Sequence, residues 1–167
     1  EALFSAVQAV VGPGDEVVVF DPAYDAYEPM VRLAGGRCVR IPLQPPRFAI
    51  DWDRVRDSLT SRTRLVILNN PHNPACVVHG PAALDGLAEV LRGRDVYVLS
   101  DEVYEHVVFD GGRHASVLGH AELRERSFVT FSFGKTLHAT GWRVGYCVAP
   151  LALTREFRKV HQFNTLT

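Results

Sequence analysis

Lys135 lies in the stretch "SFGKTLHATGWRVGY" (132–146), where Gly-Lys-Thr closes an apolar run from Phe128 to Phe131. Three chemistries fit a lysine so placed: a clamp on a nucleotide phosphate, a covalent nucleophile, or a solvated surface charge. A Walker-type loop needs a glycine five residues before the Gly-Lys pair, because only glycine lets successive backbone N–H groups curl around a phosphate. That position is Val129, within residues of β-branched and aromatic character that read as a strand. The nucleotide reading fails. Phe131, Phe133, Gly134 and Trp142 predict a desolvated setting, which lowers the amine pKa and makes Lys135 a usable nucleophile and proton carrier. Such a setting suits a Schiff-base lysine.

Asp101 follows the apolar stretch "DVYVLS" (95–100). A carboxylate at the end of a buried strand needs a cationic partner. It could cap the following turn or form an ion pair there, or it could hold a protonated ring nitrogen so that a pyridine cofactor works as an electron sink. Tyr104, three residues on, could aim its hydroxyl at the same ligand. Glu102, Glu105 and His106 lack the His-Glu-x-x-His spacing of a helical zinc site and read as structural or solvent-facing. Arg143 offers a planar guanidinium for a phosphate, with the Ser132 hydroxyl alongside. In "NNPHNP" (69–74), two prolines bracket Asn73 and stiffen the loop that presents its amide.

Strands and helices alternate along the chain. Helical periodicity covers 1–11, about 25–34, 51–59 with Asp51 as cap, 81 to about 92 with Pro81 at the start, and a last helix from Leu151. Strand character covers 16–20, 37–43, 64–69, 95–100, 127–132 and 142–149. Continuous β-branched strands between amphipathic helices predict an α/β fold: three αβα layers around a mostly parallel sheet. In such sheets ligands collect at the carboxyl ends of strands. Asp21 and Tyr24, Asn69 to Asn73, Asp101 and Tyr104, and Ser132 and Lys135 all fall at those ends.

A net charge of −1 over 167 residues gives no field to attract nucleic acid or an anionic membrane. No apolar run approaches the ~18 residues of a membrane span. Cys38, Cys76 and Cys147 are widely spaced and odd in number, which predicts reduced thiols, two of them buried in strands, and a cytoplasmic setting. "EALFSAVQAVV" opens as a helix with no capping residue ahead of Glu1, and "REFRKVHQFNTLT" closes as a helix-to-loop passage. Both predict a piece of a longer protein.

Five stretches, "DPAYDAYEP" (21–29), "NNPHNP" (69–74), "SDEVYEH" (100–106), "SFGKTLHATGWRVGY" (132–146) and "RKVHQ" (158–162), occur in an order that resembles the pyridoxal-phosphate (PLP) aminotransferases of fold type I, class I/II. Within that family the chain is most similar to the bacterial methionine aminotransferase branch and its kynurenine aminotransferase/glutamine transaminase K relatives. The resemblance implies that Lys135 bonds the cofactor and shuttles the proton. It implies that Asp101 pairs with the ring nitrogen, and that Asn73 and Tyr104 hydrogen-bond the phenolic oxygen. Ser132 and Arg143 would hold the phosphate, Tyr24 would stack on the ring, and Tyr27 would be a substrate-side aromatic, with Asn73 also near substrate.

The implied activity is ping-pong transfer of an amino group from an amino acid, methionine favoured and glutamine or aromatic residues possible, to a 2-oxo acid. A homodimer is implied as the assembled form. Residues 1–167 would be the central part of the large domain, with a phosphate loop before Glu1 and an arginine-bearing small domain after Thr167. Ala75-Cys76 departs from the small residue and glycine of many relatives. A carbon–sulfur β-lyase on the same scaffold shares the first steps. A non-catalytic ligand-sensing domain of a transcription regulator shares the scaffold alone.

Overall fold

In a computed structural model, which describes residues 1–165, the backbone forms seven α-helices and six strands. In chain order these are α1 (Ala2–Val10), β1 (Glu16–Asp21), α2 (Tyr27–Leu33), β2 (Arg37–Pro42), α3 (Trp52–Ser58), β3 (Thr63–Asn69), α4 (Pro81–Leu91), β4 (Tyr97–Asp101), α5 (Ala121–Arg124), β5 (Ser127–Ser132), α6 (Phe133–Thr136), β6 (Gly145–Val148) and α7 (Leu151–Asn164). The sheet order is β2-β1-β3-β4-β5-β6. β1 to β5 run parallel, and β6 pairs antiparallel with β5.

Alternate residues of each central strand feed opposite faces, as a period of two requires. Val18, Phe20, Val66, Leu68, Val98 and Val129 pack with Val55 of α3, Leu84, Leu87 and Leu91 of α4, and Leu123 of α5. Val17, Val19, Leu65, Ile67, Leu99 and Phe128 pack with α1, α2 and Leu153 of α7. The three expected layers are present. Asp51 caps α3 by accepting the Arg54 N–H at 3.1 Å, and Pro81 opens α4.

Differences from the sequence pattern around the Lys135 stretch have physical reasons. Strand character begins at Trp142, but Thr140–Trp142 form a 3-10 turn and Arg143 sits in the left-handed region (φ 54), so β6 starts at Gly145. A Cβ at Gly145 would collide with the Phe131 carbonyl oxygen, so only glycine lets β6 close onto β5 there. Lys135 lies on α6, a single turn that the sequence pattern does not reveal. α7 ends at Asn164; residues 166 and 167 of the anticipated helix-to-loop passage lie outside the described residues. No helix among the described residues is long and apolar enough to cross a membrane.

After β1 the chain turns to β2 on one side, and β3 then lies on the other side of β1. The loops after β1 and β3 diverge at this switch point, where open α/β sheets form a crevice. Register aligns Asn69 with Asp101 and Asp101 with Thr130, so the functional ends share one rim.

Candidate active site

A cavity of about 860 Å³ opens on that rim. Tyr24, Tyr27, Asn73, Asp101, Tyr104, Ser132, Lys135 and Arg143 all line it. The eight residues singled out in the sequence therefore meet in one space, although they come from four separate stretches of chain.

Asp101, the last residue of β4, is 4% exposed. Its Oδ2 accepts the Tyr27 hydroxyl at 2.7 Å, and Thr130 Oγ1 lies 3.5 Å from Oδ1. Burial pushes the carboxyl above its ordinary range; the Tyr27 and Thr130 hydroxyls and the Val103 amide offset part of this, and the Glu102 charge adds to it. Two other buried carboxylates show the contrast. Glu16 has Arg37 at 2.6 Å and Arg62 at 2.7 Å. Glu102 has His114 at 2.8 Å, the Ser100 hydroxyl and the Val117 amide. Asp101 has no cationic partner among the described residues. A buried carboxylate facing a cavity without a cation is what a protonated ring nitrogen would complete.

Tyr27 lines the cavity from within the core: it is 3% exposed, and its hydroxyl donates to Asp101. The reason lies in α2, whose first residue it is: Met30 and Val31 turn that helix onto the sheet and draw Tyr27 into the core. Tyr24, on the loop before α2, stays 42% exposed, with its ring 5.5 Å from that of Tyr27 and edge-on to it.

The desolvated setting expected for Lys135 is also corrected. Lys135 is exposed, Phe133 is 38% exposed and Trp142 81%. Phe131 and Phe133 pack on Tyr146 of β6, at 4.8 and 5.3 Å between ring centroids, and so turn toward the sheet edge instead of enclosing the ammonium. Lys135 Nζ lies 5.7 Å from the Tyr104 ring centroid, within the range of a cation–π contact. Burial, with the Asp101 charge next, raises the Tyr104 phenol pKa and keeps it a donor. Ser132 Oγ accepts the Gly134 amide at 3.2 Å, Thr140 Oγ1 donates to the Gly134 carbonyl at 2.9 Å, and Arg143 donates to the Thr140 carbonyl at 3.1 Å. One small network thus fastens Ser132, Lys135 and Arg143 around α6.

Two residues that the sequence placed at a strand end without a role, Asn69 and Asn70, build the Asn73 loop. Asn69 Oδ1 accepts the Asn73 N–H, and Asn69 Nδ2 donates to the Asp101 carbonyl. Asn70 donates to the carbonyls of His79 and Ala115 and accepts the His79 N–H. The available signal was a pair of amides at the end of an apolar strand, where buried backbone needs partners. Cys76 has φ 55, the left-handed conformation that glycine takes most readily. Cys38, Cys76 and Cys147 are free; Cys76 is exposed, and Cys38 and Cys147 are half-buried instead of fully enclosed. Burial pushes the last two thiols up to about 11 and about 12. Glu102 is buried, Glu105 accepts the Thr136 hydroxyl, and His106 is exposed, as structural or solvent-facing residues should be.

Fold and site together define a class. The family model for aminotransferase class I and II matches residues 1–167, and the chain belongs to that family. It is 52% identical to the methionine aminotransferase of Escherichia coli over 167 residues, covering 100% of this chain and 43% of that protein. It is 38% identical to human kynurenine–oxoglutarate transaminase 1, covering 96% of this chain and 41% of the relative. An Escherichia coli crystal structure described as identifying a methionine aminotransferase function superposes with a TM-score of 0.97 at 52% identity, covering 99% of this chain and 44% of that one. The chain thus spans less than half the length of the relatives it matches.

Proposed function

We propose that the protein is a PLP-dependent aminotransferase that moves the amino group of an amino acid to a 2-oxo acid by ping-pong chemistry. The observation that carries this reading is a buried Asp101, without a cationic partner among the described residues, sharing one cavity with Lys135. PLP, when bound, supplies a protonated ring into which negative charge from a substrate α-carbon can spread. Asp101 would accept the N–H of that ring, Asn73 and Tyr104 would donate to the phenolic oxygen, Tyr24 would cover the ring, and Ser132 and Arg143 would hold the phosphate. Lys135 Nζ would be the amine that holds the cofactor and would take and return the substrate proton.

The identity to a methionine aminotransferase supports methionine as donor, and the likeness to a kynurenine transaminase supports aromatic donors beside it. Glutamine belongs to the same proposal, as do a homodimer as the working form and a place for this chain in the middle of the large domain. Three free cysteines support a reducing cytoplasm as its compartment.

In the full-length protein, Lys135→Ala should remove the absorbance band of the lysine-bound cofactor and nearly all conversion of methionine and a 2-oxo acid. Unchanged conversion would overturn the reading. Pyruvate with ammonia from a cysteine conjugate, in place of an oxo acid without ammonia, would mark elimination as the main reaction.

A further inference from the structure

The contact between Tyr27 and Asp101 joins the first residue of α2 to the last of β4, 74 positions apart. A buried phenol can be satisfied by any backbone carbonyl. Burying a carboxylate merely to accept one hydroxyl is a poor exchange, because the desolvated anion loses more than the bond returns. The dependence therefore runs the other way, with the phenol serving the acid.

We infer that Tyr27 is a positioning residue for the reaction: its hydroxyl, donated to Asp101 Oδ2, fixes the orientation and the ionised state of the carboxylate that receives the cofactor's ring nitrogen. Tyr27 has this role only if a pyridinium nitrogen sits on Asp101, as proposed above. Oδ2 is held by a short bond, while Oδ1 has Thr130 Oγ1 at 3.5 Å, a contact that leaves room for a stronger donor. The Tyr27 ring is clamped edge-on by Tyr24 and buried with Met30 and Val31, so the hydroxyl has little freedom to leave. It cannot become an acceptor by ionising, since burial and the Asp101 charge push its pKa far above the ordinary phenol range. The other groups that act on the carboxylate differ in kind. Glu102, next in the chain, opposes ionisation. Lys135, Tyr24 and Tyr104 line the same cavity, and Thr130 faces the acid from β5. The Val103 amide also acts on the acid, and among the side chains Tyr27 alone makes a bond to its carboxylate shorter than 3 Å.

The test uses the full-length protein with 13C-labelled aspartate carboxyls, first free of cofactor. Tyr27→Phe should raise the Asp101 titration by about one unit or more, the size expected for losing a hydrogen bond to a charged group. Fluorotyrosine at position 27 keeps the packing but strengthens the donor, and should move the titration down. PLP should then bind Tyr27→Phe about tenfold more weakly. A merely structural tyrosine would alter stability and leave the carboxyl where it is, so an unmoved titration overturns the role. Where Tyr27→Phe does not fold, the fluorotyrosine protein decides: a downward shift supports the role and no shift overturns it. Wild-type protein that takes up no PLP would sink the aminotransferase reading and the role with it, whereas an unshifted carboxyl in protein that does take it up sinks the role alone.

Discussion

The side chain of Asn69 holds Asn73 and Asp101 at once, accepting the Asn73 N–H at 2.7 Å and donating to the Asp101 carbonyl at 2.9 Å. One buried amide thereby sets the spacing between a loop that reaches the cavity and the strand end that supplies its acid.

Asn69→Ala should therefore lose two buried hydrogen bonds and cost about 2 kcal/mol of stability, with weaker cofactor retention. Denaturant midpoints and the PLP dissociation constant check this. A fully retained midpoint would show that the amide is not structural.

Asp101→Asn separates stability from chemistry. Burial holds the carboxyl above its ordinary value. Below the unfolded value both states carry the proton and nothing is lost; as pH rises through the folded value, the buried anion destabilises the fold. Cofactor-free Asp101→Asn should therefore be more stable than wild type near neutral pH by about 1–3 kcal/mol, with the difference vanishing below about pH 4. Its turnover should fall by about 10²–10³. Thermal melts at the two pH values, with amino-transfer rates, test both signs.

His79 should make the fold acid-sensitive. Burial lowers its pKa from 6.5 to about 4, with the neighbouring His72 adding to the effect. The folded state thus favours neutral imidazole. Its contribution is complete above about pH 6.5 and is lost as pH falls toward about 4, by up to about 3 kcal/mol. His79→Gln should flatten urea midpoints across that window; an unchanged pH slope would contradict it.

Cys76→Gly tests the left-handed backbone beside the Asn73 loop. Relief of about 1 kcal/mol of strain is offset by the greater freedom of glycine in the unfolded chain, so stability should change by less than about 1 kcal/mol. Cys76→Val places a β-branched side chain there and should destabilise by about 1–2 kcal/mol. Equal midpoints for the two variants would refute the backbone explanation.

Much of this was legible in the sequence. Helix and strand periodicities predicted the layers, and of the strand-end residues that predicted a ligand rim, Tyr24, Asn69, Asn73, Asp101, Tyr104, Ser132 and Lys135 line one cavity, whereas Asp21 is held outside it by Arg40. What was misread was solvent exposure around Lys135. Aromatic neighbours in sequence suggested enclosure, yet Phe131 and Phe133 have a better partner in Tyr146, which the antiparallel return of β6 brings alongside. The bond from Tyr27 to Asp101 was not legible for a related cause: "DPAYDAYEP" places an aromatic there, but where its hydroxyl points depends on how α2 packs.

By itself the sequence determined which side chains sit at strand ends and in what order, because periodicity and turn residues act over a few positions and need no distant partner. The tertiary structure decided who meets whom. That Asp101 leans on Tyr27 and shares Asn69 with the Asn73 loop depends on contacts spanning up to 74 positions. Such contacts are set by strand order and helix packing, and no local pattern encodes them.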